Sequence, residues 1–122
     1  MDEINRLIGL LEEIAESNTL VIVEGYKDKR ALEKFGVKNI ITLKQPLYKV
    51  IEFVSENYKK CIVLTDLDKE GKELYSRISK KLRQRKVKVD DKFREFLFKE
   101  TKLRQIEGIW RYVESRTRWI ND

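Results

Sequence analysis

Residues 61–71 read Cys-Ile-Val-Leu-Thr-Asp-Leu-Asp-Lys-Glu-Gly. The first five of these residues are apolar or β-branched and have the length of a strand that is buried on both faces. Two aspartates, Asp66 and Asp68, follow the strand at once, and apolar residues at helical spacing begin after Lys69. A buried strand that leads through a short acidic loop into a helix indicates a parallel α/β sheet.

An earlier segment has the same form. Residues 20–23 are a continuous apolar run that ends at Glu24 and Gly25. The following short helix is predicted to be capped by Asp28 and to stop at Gly36. Two strands of the sheet are therefore expected to end in acidic residues about 40 positions apart.

The rest of the chain alternates in the same way between helical and strand patterns. Apolar spacing predicts further helices over residues 2–17, 46–54, 69–85 and 103–113, and further strands over residues 39–43 and 87–89. The stretch 93–98 is compatible with either a strand or a helix. Connections of this length favour right-handed crossovers, and therefore a parallel sheet with helices on both faces.

The domain organisation predicted from this pattern is one domain over residues 1–122. It would consist of an N-terminal helix over residues 2–17, a motif core over residues 18–90 and a basic C-terminal segment over residues 91–122. No repeat or linker interrupts it.

The composition excludes several classes of protein. The chain has 122 residues, 27 Lys and Arg, 21 Asp and Glu, no His and one Cys, for a formal net charge of +6. No apolar run approaches the ~18 residues of a membrane span, and the N-terminus lacks the pattern of a secretory signal. Catalysis through a Ser-His pair and zinc sites with His ligands need an imidazole. A single cysteine agrees with a reducing cytoplasm.

The acidic residues at the two strand ends are the candidate site. If the two strands are neighbours, the carboxylates of Glu24, Asp66 and Asp68 converge at one edge of the sheet. Oxygen ligands of this kind suit a hard cation of the Mg²⁺ or Mn²⁺ type. Gly25 and Gly71 have no side chain to obstruct a phosphate or a backbone that approaches the ion. Alternatively, Asp68 only caps the next helix, and Glu24 and Asp66 pair with surface lysines.

At these residues the chain resembles the Toprim family, which includes topoisomerase and bacterial-type primase domains, ribosomal-RNA-maturing nucleases and small stand-alone archaeal-type proteins. The family pattern is a strand that ends in Glu-Gly and a later strand that ends in Asp-x-Asp with a downstream Gly. Here it reads Val-Ile-Val-Glu-Gly over residues 21–25 and Asp-Leu-Asp-Lys-Glu-Gly over residues 66–71. Lys72 stands where topoisomerases of this family have a further Glu, which leaves one ligand fewer for a second metal ion.

The resemblance implies a Rossmann-like fold with a four-stranded parallel sheet of order 2-1-3-4. It also implies metal-assisted chemistry on nucleic-acid phosphodiesters. In that chemistry Asp66 and Asp68 would hold Mg²⁺, and Glu24 would act as a general acid or base or complete the metal shell. A strand that ends in Asp-x-Asp also occurs in haloacid-dehalogenase-type phosphatases. Those enzymes favour Gly-Thr after the second aspartate and carry the motif near the N-terminus, so this interpretation is set aside.

The positive charge is concentrated in the later part of the chain. Seven basic residues and no acidic residue fall between Arg77 and Lys88. An excess of this kind is a solvent-exposed helix face or a surface that contacts phosphates. Trp119, which lies among arginines, could stack on an unpaired base. The predicted nucleic-acid-binding residues are Lys27, Lys69, Lys72, Arg77, Lys80, Lys81, Arg83, Arg85 and Trp119.

The function expected from these features is that of a small magnesium-dependent nuclease or RNA-processing endonuclease in the cytoplasm. Topoisomerase and primase activities are not expected, because 122 residues cannot also contain the nucleophile, gate and polymerase regions that those activities need. The alternative is a non-catalytic subunit that binds nucleic acid and acts with a partner protein. The expected partner is nucleic acid, either RNA or DNA, and no membrane association is expected.

Overall fold

A computed structural model describes the backbone of residues 2–121 and the side chains of residues 2–117. The chain folds as α1 (Glu3–Ser17), β1 (Leu20–Val23), α2 (Tyr26–Glu33), β2 (Ile40–Thr42), α3 (Leu47–Asn57), β3 (Lys60–Leu64), α4 (Lys69–Gln84), β4 (Lys88–Val89), α5 (Lys92–Glu100), a 3₁₀ turn (Ile106–Gly108) and α6 (Ile109–Asn121). No helix within residues 2–121 combines the length and the apolar character that crossing a membrane requires.

The four strands form one parallel sheet in the order β2-β1-β3-β4. This confirms the α/β class and the order 2-1-3-4. β1 and β3 lie side by side in the centre, with Val23 opposite Leu64. The residues that follow these two strands therefore emerge next to each other at the carboxyl edge of the sheet.

Both faces of the sheet are covered, because alternate strand residues point to opposite sides. On one face Val21, Val23, Ile62 and Leu64 share a core with α1, α2, α5 and α6. On the other face Leu20, Ile22, Cys61 and Val63 share a second core with residues of α3, α4 and β4. The helices predicted for both faces are confirmed, and the C-terminal elements share the first of these cores.

The structure assigns one segment that the sequence left open, and it moves the start of another. Residues 93–98, which fit either element, lie in α5, with Phe93, Phe96 and Leu97 buried at helical spacing. The helix expected from residue 103 begins only at Ile106, as a 3₁₀ turn. Thr101 explains the delay, because its hydroxyl bonds the Leu97 carbonyl and accepts the Leu103 N–H, and this keeps the next residues out of a helix.

Candidate metal centre

The side chain of Glu24 reaches the backbone of Asp66 where β1 and β3 end. The Glu24 Oε2 atom accepts a hydrogen bond from the Asp66 backbone N–H at 2.7 Å. Both residues are half-buried. The Glu24 carboxylate therefore contacts the backbone of Asp66 and not its carboxylate, and the contact joins two residues that are 42 positions apart along the chain.

The Asp66 side chain is held by the C-terminal part of the chain. Its Oδ1 atom accepts the N–H of Ile106 at 2.9 Å, at the start of the 3₁₀ turn. Burial raises the pKa of Asp66, and the negative charges of Asp68 and Glu107 raise it further. The Ile106 hydrogen bond and the positive charge of Arg94 act against this increase. Arg94 is therefore the cation that offsets the burial of the ionised Asp66 carboxylate.

Asp68 lies at the start of α4 and is exposed. Its Oδ1 atom accepts the N–H of Gly71 at 2.8 Å, which is the N-cap hydrogen bond that satisfies the first turn of the helix. The capping interpretation of Asp68 is confirmed for this oxygen. The same hydrogen bond fixes the side chain next to Asp66.

Gly71 is buried for a reason that the sequence did not indicate. A Cβ atom at this position would lie 1.9 Å from the carbonyl oxygen of Asp66. The Thr65 hydroxyl also donates to the Gly71 carbonyl at 2.6 Å. The space at Gly71 is thus filled by the end of β3 itself, whereas a Cβ at Gly25 would meet nothing within 4 Å.

Arg94 on α5 is a site residue that the sequence did not reveal. Its guanidinium is buried, donates to the backbone carbonyl of Thr65 and donates to that of Asp66 at 2.9 Å. It also lies 4.4 Å from the centre of the Tyr75 ring. Burial lowers the pKa of Arg94, while Tyr75 and the nearby carboxylates raise it. Arg94 therefore fixes the backbone from which the Asp66 side chain projects, and no motif marks it.

Asp28 does not have the helix-capping role that the sequence predicted. The helix α2 begins at Tyr26 with Gly25 as its N-cap, so Asp28 is the third helical residue and not the cap. Its Oδ2 atom reaches back to accept the Gly25 N–H at 3.0 Å. Only 7% of the residue is exposed. Burial raises its pKa from 3.8 to about 6, partly offset by the Gly25 hydrogen bond and increased by the charges of Asp66, Glu24 and Glu107.

The raised pKa of Asp28 predicts a pH-dependent stability. Unfolded Asp28 ionises near pH 3.8 and folded Asp28 near pH 6, so its charge destabilises the fold fully above pH 6 and not below pH 3.8. The shift corresponds to about 3 kcal/mol. Asp28→Asn keeps an acceptor for Gly25 and should raise the free energy of unfolding by up to that amount at pH 7.5, with little change at pH 4.

Urea denaturation in EDTA at several pH values measures this difference. The matched control is Glu33→Gln, which removes an exposed carboxylate from the same helix. Parallel stability curves for Asp28→Asn and the wild-type protein across pH 4 to 7.5 would contradict the prediction.

The chemistry of the three carboxylates fits a hard cation. In each of Glu24, Asp66 and Asp68 one oxygen accepts a backbone N–H, while the other has no hydrogen-bond partner in the described part of the chain. Among residues 2–117 none of the three forms an ion pair, so the predicted alternative of pairing with lysines is wrong for Glu24 and Asp66.

The three carboxylates are nevertheless not gathered around one point. As the side chains stand, no group of three or more acids, Cys or His within residues 2–117 is arranged to hold a metal ion.

The predicted nucleic-acid-binding residues lie on different parts of the surface. Lys27 and Lys69 are exposed in the first turns of α2 and α4, beside the carboxylates. The Nζ atom of Lys72 lies 4.3 Å from the centre of the Phe98 ring. The side chain of Trp119 lies outside the described residues. The other members are exposed in α4 or at its C-cap, namely Arg77, Lys80, Lys81, Arg83 and Arg85.

The basic residues in the later turns of α4 lie far along the helix axis from the carboxylates. With a rise of 1.5 Å per residue, Arg77 stands about 12 Å along the axis from Lys69, and Arg85 about 24 Å. Arg85 also donates to the Ser55 hydroxyl on α3 at 3.3 Å. The α4 basic stripe, defined as Arg77, Lys81 and Arg85, therefore lies along the α3–α4 side and away from the acidic edge.

The fold and this site define a class of protein, namely a parallel α/β domain with acidic residues at the carboxyl ends of its two central strands. The family model of the Toprim domain matches residues 19–97. The chain belongs to the Toprim family, as its motifs indicated. Membership in this family indicates a metal-dependent function that involves nucleic acid.

Several archaeal proteins are similar to the chain along most of its length. A UPF0292 protein of Methanocaldococcus jannaschii is 36% identical over 118 residues, which cover 91% of this chain and 92% of that protein. A UPF0292 protein of Thermococcus sibiricus is 34% identical over 105 residues, with 85% and 82% covered. A solved structure of a protein from Aquifex aeolicus superposes with a TM-score of 0.76 at 31% identity and covers 85% of this chain and 95% of that one.

Proposed function

We propose that this protein is a small magnesium-dependent nuclease that cleaves nucleic-acid phosphodiesters, most simply as an RNA-processing endonuclease. The observation that carries the proposal is the position and the hydrogen bonding of Glu24, Asp66 and Asp68. In a chain with 27 basic residues, these three acids stand at adjacent strand ends with one oxygen each fixed by a backbone N–H. The other oxygen of each acid has no hydrogen-bond or ion-pair partner in the described part of the chain.

The three acids would have different roles. Asp66 and Asp68 would hold Mg²⁺ or Mn²⁺, directly or through water, because these cations prefer oxygen ligands. Glu24 would complete the metal shell or move a proton as general acid or base. When bound, the ion would supply charge stabilisation at the phosphate and a lower pKa for an attacking water. Arg94 would keep Asp66 in place through the backbone carbonyls that it binds.

The proposed activity is tested by incubating the protein with structured RNA, single-stranded RNA and DNA, and duplex DNA. Cleavage is expected with Mg²⁺ or Mn²⁺ and is expected to stop in EDTA. Restoring the cation should restore cleavage. Cleavage that continues unchanged in EDTA would contradict the assignment, because the carboxylates would then act without a metal ion.

A second candidate function is a non-catalytic nucleic-acid-binding subunit that works with a protein partner. It is favoured by the absence, among residues 2–117, of a group of acids already arranged to hold a metal ion. Binding of the same nucleic acids in both Mg²⁺ and EDTA, with no cleavage in either, would support this candidate over the nuclease.

We also propose that residues 1–122 act as one domain in the cytoplasm. The shared core supports the first point, because α1, α5 and α6 pack on the same face of the sheet. The buried thiol of Cys61, whose pKa burial raises to about 11, is consistent with a thiol that stays reduced and unreactive.

A further inference from the structure

A groove runs between α2 and the C-terminal part of the chain. It has a volume of about 430 Å³. Its basic lining residues are Lys27 and Arg30 on α2, Lys34 at the C-cap of α2 and Arg111 on α6, with Glu107 and Trp110 on the opposite wall. Of these four cations, Lys27 belongs to the predicted nucleic-acid-binding residues.

The charge of the groove suits a polyanion. Lys27, Arg30 and Lys34 are three and four residues apart, so they form one stripe along α2. Arg111 faces them from α6. None of these four cations forms an ion pair among the residues with described side chains. Glu107 lines the same groove, but no carboxylate with a described side chain lies within ion-pair distance of these four exposed cations.

Aromatic rings support two of these cations. Lys34 lies 5.2 Å from the centre of the Trp110 ring, and Arg30 lies 5.8 Å from that of Tyr26. Trp110 itself is fixed by Phe35, whose ring centre is 5.3 Å away in an edge-to-face arrangement. Trp110 is therefore a wall of the groove and not a stacking platform for bases.

The position of the groove connects it to the candidate metal centre. Lys27 comes three residues after Glu24. Glu107, on the other wall, is next to Ile106, whose N–H binds Asp66. The 3₁₀ turn that carries Glu107 contacts α2 and binds Asp66 through the Ile106 N–H, so Glu107 lies at the acidic end of the groove. A phosphate chain in the groove would thus lead directly to Glu24 and Asp66.

We propose that the groove between α2 and α6, and not the α4 basic stripe, binds the phosphate backbone of a single nucleic-acid strand and directs it to the acidic site. The inference rests on the proposed function and specifies its substrate as single-stranded. From Lys27 to Lys34 the α2 stripe spans about 10 Å along the helix axis. That length matches a few phosphates of one strand, and the cations of α2 and α6 stand on opposite walls of the groove, so they can contact one strand from both sides.

The test compares two triple variants that remove the same number of charges. One is Lys27→Gln with Arg30→Gln and Arg111→Gln in the groove. The other is Arg77→Gln with Lys81→Gln and Arg85→Gln on α4. All six residues are exposed, so both proteins should fold, which circular dichroism checks. Binding of a labelled 12-nucleotide RNA, the same DNA strand and the matching duplex is measured by fluorescence anisotropy in EDTA and in Ca²⁺.

The groove variant should bind the single strands roughly 100-fold more weakly in 0.1 M salt, because three lost phosphate contacts at a slope of about −0.7 each change log K by about 2. Its slope of log K against log salt should also fall by about 2 in magnitude. The α4 variant should lose less than about threefold, since charges away from the strand are largely screened.

Three outcomes would overturn the inference: equal losses in both variants, a larger loss in the α4 variant, or tighter binding of the duplex than of the single strands. No binding by the wild-type protein would also overturn it. The nuclease proposal is tested separately. If the protein binds single strands through this groove but does not cleave them in Mg²⁺, the nuclease proposal is contradicted and the groove proposal is supported.

Discussion

Replacing Gly71 with Ala is expected to destabilise the protein by at least about 3 kcal/mol, which is in the range of severe backbone conflicts. The added Cβ would lie 1.9 Å from the carbonyl oxygen and 2.4 Å from the carbonyl carbon of Asp66. Both are backbone atoms at the end of a central strand, and Arg94 and Thr65 hold that strand end in place. A rotamer change cannot relieve the overlap, so the strand end or the start of α4 must move.

The matched control is Gly9→Ala in the middle of α1, where a new Cβ meets nothing within 4 Å. Alanine is favoured over glycine in a helix by about 1 kcal/mol, so this variant should be more stable than the wild type. Urea denaturation or thermal melting measures both variants. A small or stabilising effect of Gly71→Ala would show that the end of β3 adapts easily, which would contradict the rigid strand end inferred for the site.

Replacing Asp66 with Asn is expected to reduce magnesium-dependent cleavage at least about a hundredfold. Asn keeps an oxygen that can accept the Ile106 N–H, so the local fold should be retained. It removes the negative charge that would bind the cation. Because burial already disfavours the ionised form of Asp66, the variant should be at least as stable as the wild type without metal.

Thermal melting separates this effect from loss of structure. Mg²⁺ at a hundredfold excess over its Kd should stabilise the wild type by about 2.7 kcal/mol and the Asp66→Asn variant much less. The control is Glu56→Gln, an exposed acid on α3 away from the site, which should cleave and respond to Mg²⁺ like the wild type. Full activity and a full Mg²⁺ response in Asp66→Asn would remove Asp66 from the metal site.

Much of the fold could be predicted because local patterns report directly on burial. Two examples are the apolar run of residues 20–23 and the spacing of the apolar residues in α4. Each pattern lies within a single element, and both elements have the predicted type. The stretch 93–98 could not be assigned, because three aromatic residues close together fit a strand as well as a helix. Contact with the sheet decides for the helix, since that geometry buries Phe93, Phe96 and Leu97 together.

The candidate acids could be named from the sequence for a similar reason. Glu24, Asp66 and Asp68 follow strands, and a strand end is visible in the sequence. Arg94 has no such signal, because its partners are the backbone carbonyls of Thr65 and Asp66, which are 29 and 28 residues away. Glu107 likewise acts on Asp66 and Asp28 only through proximity in space.

The sequence by itself determined the α/β class, the two acidic strand ends and the family, because these depend on residue types at fixed spacings. The tertiary structure alone decided which groups surround those acids: Arg94 on the strand end, Ile106 on Asp66 and the cations of the groove beside α2. The physical reason is that hydrogen bonds and electrostatic fields depend on distance in space. Folding brings together residues whose separation along the chain carries no periodic signal.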